Sequence, residues 1–65
     1  MDLDLKKFKT AQARACLSVN ELAEKSGLKR PTVSKIINGV AKPSIKSVGL
    51  LAKALNVDVT EIIAD

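Results

Sequence analysis

The chain has 65 residues, 11 of them lysine or arginine against 7 aspartates and glutamates, for a formal charge of +4. That length suits a single domain, expected over 1–65, whose thin core needs well-packed helices, a covalent staple or a partner chain. The absence of histidine and the lone Cys16 argue against a metal site and exclude an internal disulfide, so helix packing remains, helped by dimerisation.

The start, Met1-Asp2-Leu3-Asp4, is acidic with no apolar stretch behind it, unlike a signal peptide. No apolar run approaches the roughly 18 residues of a membrane span. A soluble, cytoplasmic protein is expected, with no cofactor and no small-molecule ligand. The first predicted helix runs from Leu3 to about Ala15 and places Leu5, Phe8, Ala11 and Ala15 on one face. The second opens at Ser18, where Glu21 three residues on completes a capping box, and Gly27 ends it. A third runs from about Arg30 to Ile37; Pro31 fits only in a first turn, and Asn38-Gly39 stops the helix. After a short loop, Val40 to Pro43, Ser44 caps a fourth helix with Ile45, Val48, Leu51, Ala52 and Leu55 at helical spacing. Asn56 ends it, and Asp58 with Glu61 predicts a last short helix through Ala64. Five short helices account for the chain, and nothing reads as a strand.

Charge is distributed unevenly. Between Lys25 and Val57 the charged side chains are all basic: Lys25, Lys29, Arg30, Lys35, Lys42, Lys46 and Lys53. The acids Asp2, Asp4, Glu21, Glu24, Asp58, Glu61 and Asp65 lie outside that window. Such segregation points to a polyanionic partner for the middle of the chain, although a solvated lysine-rich surface has the same composition.

The second and third helices, joined by a turn containing Gly27, make a helix-turn-helix unit over about 18–38. Ala23 supplies a small residue where the helices touch, and Val33 and Ile36 supply branched apolar residues on the inner face. The text Leu17-Ser18-Val19-Asn20-Glu21-Leu22-Ala23, Gly27-Leu28, Thr32-Val33-Ser34-Lys35-Ile36, Asn38-Gly39, Pro43-Ser44 and Leu51-Ala52-Lys53-Ala54-Leu55-Asn56-Val57 resembles the Cro/repressor-type (XRE-type, lambda-repressor-like) helix-turn-helix domain. The resemblance implies an all-α, compact five-helix fold whose third helix enters the major groove. It also implies a role in transcription, usually repression, often as a dimer. The chain departs from the family at Val19, a frequent glutamine position, at Gln12, a frequent arginine, and at Cys16, a frequent glycine. Lys29 replaces the usual Ser/Thr cap of the recognition helix.

Helical geometry assigns the third helix's faces independently. Val33, Ile36 and Ile37 point inward; Pro31, Ser34, Lys35 and Asn38 point outward, with Arg30 and Thr32 flanking. Recognition helices read bases mainly with their amino-terminal residues. Arg30 and Lys35 can donate to guanine O6 and N7, Ser34 can contact base or phosphate, and Pro31 offers an apolar contact to a thymine methyl. With Lys29 these form the expected base-reading set. Ser18, Thr32, Asn38, Gly39, Lys42, Ser44 and Lys46 are the expected phosphate contacts, since they position the domain and do not read sequence. Leu50, Val59 and Ile63 are the expected surface for a second subunit, partial burial within one chain being the other reading. Double-stranded DNA and a homodimer partner are thus expected, and an enzyme is not. The alternative is a protein-interaction module on the same fold, such as an antitoxin or antirepressor. Basic residues on the outer face of the third helix favour DNA.

Overall fold

Four α-helices and one 3-10 turn follow one another along the computed structural model, which describes residues 2–64. Met1 and Asp65, the ends of the predicted domain, lie outside the described residues. The helices are α1 (Leu5–Ala15), α2 (Val19–Ser26), α3 (Arg30–Ile37) and α4 (Ile45–Leu55), and the 3-10 turn spans Val59–Glu61.

Each α-helix starts and stops for a local reason. Asp4 caps α1 by accepting from the Lys7 backbone N–H at 3.1 Å. Ser18 and Glu21 form the predicted capping box at α2, with bonds of 2.9 and 3.1 Å. Ser44 accepts from the Ser47 N–H at 3.2 Å to cap α4. Gly27, at φ 79°, ends α2 in the left-handed region that glycine enters without steric cost. Cys16 and Asn56 end α1 and α4 in that region as well, at φ 56° and 58°. Asparagine tolerates the conformation; cysteine at that position is strained.

One core holds the elements together. Phe8 and Ala11 of α1, Leu22 and Ala23 of α2, Val33 and Ile36 of α3, and Val48, Leu51, Ala52 and Leu55 of α4 are all buried, with Ile62 and Ile63 closing it. Burying each of the larger side chains contributes roughly 1.5–3 kcal/mol. Helix α2 packs against both α3 and α4, while α1 and the 3-10 turn pack on α4 and on each other. Helix α3 is therefore braced from behind by α2, whose own back rests on α4.

Three expectations are corrected. The count is four α-helices, not five: the last segment is a single 3-10 turn that stops at Glu61 and does not reach Ala64. Its continuation is extended because it pairs with the start of the chain. Leu3 and Ile63 form an antiparallel bridge, Asp4 N donates to Ile62 O at 2.9 Å, and Ala64 N to Asp2 O at 2.8 Å. Backbone groups spent there are not free for a helix. The same pairing starts α1 at Leu5 rather than Leu3. Finally, Ile45 continues the apolar stripe of α4 in sequence but is 76% exposed, because the first residue of the helix projects past the core.

Candidate nucleic-acid interface

The outer face of α3 carries the side chains that its periodicity predicts. Val33 and Ile36 are fully inside and Ile37 half-buried against the core, which turns Arg30, Pro31, Thr32 and Lys35 outward to solvent. Ser34 is half-buried, and its hydroxyl accepts from Asn38 Nδ2 at 3.5 Å, so it faces the edge of the helix rather than its crest. Lys29 occupies the N-cap position without a side-chain hydrogen bond to the helix. The first-turn N–H groups of Arg30 and Thr32 are thereby left uncapped, at the positive end of the helix dipole, between two cationic side chains.

The turn after α3 is closed by backbone hydrogen bonds. Gly39 N donates to Ile36 O at 3.1 Å, while Val40 N and Ala41 N both donate to Lys35 O, at 2.9 and 3.2 Å. Gly39 sits at φ 74°, the left-handed region that favours glycine, and a Cβ there would be tight against Leu5 Cδ1 at 3.2 Å. Asn38 has φ −84°, and the left-handed conformation falls on Gly39. Beyond the turn, Lys42, Ser44 and Lys46 are all exposed. Lys42 Nζ lies 3.9 Å from Asp2 Oδ1, with both side chains largely in water, and such a pair yields readily to a phosphate.

Two predicted phosphate ligands are already engaged. The Ser18 N–H and hydroxyl both bond Glu21, and the Ser44 hydroxyl bonds the Ser47 N–H and Oγ. What these ends offer an anion is the backbone N–H of the next two residues, Val19 and Asn20 at α2, Ile45 and Lys46 at α4. The α2 end is the poorer one. The Ser18 backbone N–H, followed by the Ser18 hydroxyl and Lys25, holds the Glu21 carboxyl below the usual carboxylate range, so a negative charge sits there at neutral pH.

Asn20 is a residue that periodicity did not single out. It lies in the first turn of α2, exposed, and its Oδ1 accepts a hydrogen bond from Arg30 Nε across the helix-turn-helix. No spacing rule links positions on different helices, so only the packing of α2 on α3 reveals the pair.

Of the expected second-subunit residues, Ile63 is withdrawn: it is 8% exposed and its backbone is bridged to Leu3. Leu50 and Val59 are half-buried, Val59 against the core. The large apolar side chains most open to solvent are Val40 and Ile45, each 76% exposed, flanking Lys42 and Lys46.

The helix-turn-helix family model matches residues 16–62, which takes in α2, α3, α4 and the 3-10 turn. The chain belongs to the Cro/repressor-type (XRE-type) helix-turn-helix family. Its structure is similar to the crystal structure of the restriction-modification controller protein C.AhdI from Aeromonas hydrophila, with a TM-score of 0.82 and 28% identity. That likeness covers 88% of this chain and 86% of the controller protein. No curated protein sequence matches the chain. Family and fold are those of DNA-binding transcription regulators rather than enzymes. Among the described residues, no helix is long and apolar enough to cross a membrane.

Proposed function

We propose that this helix-turn-helix protein is a sequence-specific repressor that inserts α3 into the major groove of duplex DNA. The observation that carries the proposal is the amino-terminal half of α3, exposed, cationic and uncapped, with a stretch free of acidic residues from Lys25 to Val57 around it. Lys29, Arg30, Pro31, Ser34 and Lys35 read base edges, with Arg30 and Lys35 aimed at guanine O6 and N7. Thr32, Asn38, Gly39, Lys42 and Lys46, with the backbone N–H groups that follow Ser18 and Ser44, hold the flanking phosphates and set register. Ser34 is the weakest base reader of the set, because its hydroxyl is shared with Asn38.

Repression follows from occupancy: a domain seated on a promoter excludes polymerase by volume alone. The similarity to a restriction-modification controller protein supports a role in setting transcript levels, in the cytoplasm where bacterial or phage DNA lies. A homodimer that pairs through Leu50 and Val59 would read two half-sites about one helical turn, roughly 34 Å, apart.

Selection from a random duplex library tests the proposal directly. It is expected to return one motif containing guanine, with affinity that falls steeply with salt. Enrichment of no motif refutes base reading by α3, and binding indifferent to salt refutes the phosphate contacts. Sedimentation showing one chain per half-site and no self-association, with and without the selected duplex, refutes the dimer alone.

A further inference from the structure

We propose that Asn20 is a positioning residue for Arg30, one that fixes how its guanidinium meets a guanine. The inference rests on base reading by Arg30. A guanidinium carries five N–H donors, one on Nε and four on the two terminal nitrogens, and can address guanine O6 and N7 in two ways. It approaches side-on with Nε and one terminal nitrogen, or end-on with both terminal nitrogens. In this structure Nε donates to Asn20 Oδ1. Nε only donates, so the Asn20 atom facing it is the carbonyl oxygen. With Nε engaged, the end-on fork is what remains for the base.

The pair is held by more than its own hydrogen bond. Asn20 stands two residues before the buried Leu22 of α2, and Arg30 three before the buried Val33 of α3. Those two apolar residues share the core that locks α2 against α3. The anchor of the arginine is thus set by the helix-turn-helix packing itself. Both side chains are exposed in the free protein, where water competes for the bond. A duplex seated on α3 excludes that water and strengthens the bond at the moment the fork engages guanine. Holding a long, flexible side chain in one orientation also lowers the ordering cost of binding.

The test is a double-substitution cycle on the intact chain, read as affinity for the selected duplex and for the same duplex with each base pair changed in turn. Arg30→Ala is expected to flatten preference at one guanine. Asn20→Ala is expected to weaken the selected complex about tenfold, and to cut preference at that same guanine by the same factor. Non-cognate affinity and salt slope stay unchanged, and in an Arg30→Ala background Asn20→Ala has no further effect. Asn20→Asp, which keeps the acceptor, retains the guanine preference. Unfolding midpoints of all variants, measured in parallel, are expected to match the parent because both positions are exposed. If Asn20→Ala weakens every duplex equally, with and without Arg30, Asn20 is an independent backbone contact and the proposal is overturned. An Asn20→Ala protein indistinguishable from the parent on all duplexes overturns it too, as does loss of fold in that variant. Failure of Arg30→Ala itself to alter base preference overturns the underlying reading of α3 instead.

Discussion

Helices α2 and α3 are each eight residues long and lie in one motif, yet they begin in opposite ways. The first turn of α2 is closed by a reciprocal pair of hydrogen bonds between Ser18 and Glu21 and carries a carboxylate. The first turn of α3 follows a lysine that makes no cap bond, and two cations flank it. A capping side chain typically stabilises a helix by about 1 kcal/mol, so α3 forgoes that gain where α2 takes it. The difference separates a brace from a reader. Both cap-position donors of α2, the Ser18 and Glu21 N–H groups, are spent on holding that helix in place, whereas the first turn of α3 spends none on a cap and leaves more for a polyanion.

Substitutions that break this contrast differ in what they damage. Leu22→Ala, on the fully buried face of α2, is expected to destabilise the fold by roughly 2–5 kcal/mol, read from urea unfolding. In a chain this small that approaches the whole stability. Arg30→Ala, on the reader, is expected to leave unfolding unchanged and to cost roughly 1–3 kcal/mol of binding at the selected site, read by titration. A loss of stability there, or no loss of discrimination, would erase the distinction between the two helices. Ser18→Ala removes half of the α2 capping box and is expected to cost about 1 kcal/mol in stability with little change in base preference. Lys29→Ser supplies the missing cap: unfolding is expected to shift up by a few tenths to about 1 kcal/mol while duplex binding weakens. Equal or tighter binding by that variant would show that the open end of α3 is not used.

Acid titration sharpens the same comparison. Glu21 is held below its ordinary pKa by the Ser18 N–H first, then by the Ser18 hydroxyl and Lys25. Asp58 is lowered by the Thr60 hydroxyl first, then by the Thr60 and Val59 N–H groups. A carboxyl whose pKa is lower folded than unfolded stabilises the fold at neutral pH. That contribution fades as pH drops from the ordinary carboxylate range, about 4, through the folded value. Stability is therefore expected to decline below about pH 5, and slightly less steeply in Ser18→Ala, which loses the hydroxyl's share of the lowering of Glu21 but keeps the larger backbone N–H share. Unfolding midpoints measured from pH 7 to pH 3 check this.

Two further expected changes concern position 16 and the loop. Cys16→Gly relieves a left-handed backbone, φ 56°, and is expected to raise stability by about 1 kcal/mol in thermal unfolding. Lys42→Ala is expected to weaken all duplexes alike and to make the salt slope shallower by about one.

Local signals were legible along the chain because each is completed within a turn or two. Ser18 with Glu21, Pro31 in a first turn, Gly27 and Ser44 each act on backbone groups a few residues away, so α2, α3 and the start of α4 fall where the residues place them. Alternation of Val33 and Ile36 with Arg30 and Lys35 assigned the two faces of α3 by the same short-range rule. What tertiary structure decided are the features whose partners come from elsewhere in the chain. Leu3 claims Ile63, which turns an expected fifth helix into an extended clasp and removes a residue from the expected dimer surface. The end of the core decides that Ile45 is exposed, and the seating of α2 on α3 decides that Asn20 meets Arg30. Periodicity records which way a side chain leaves its own helix; what it then touches depends on where the other helices stand.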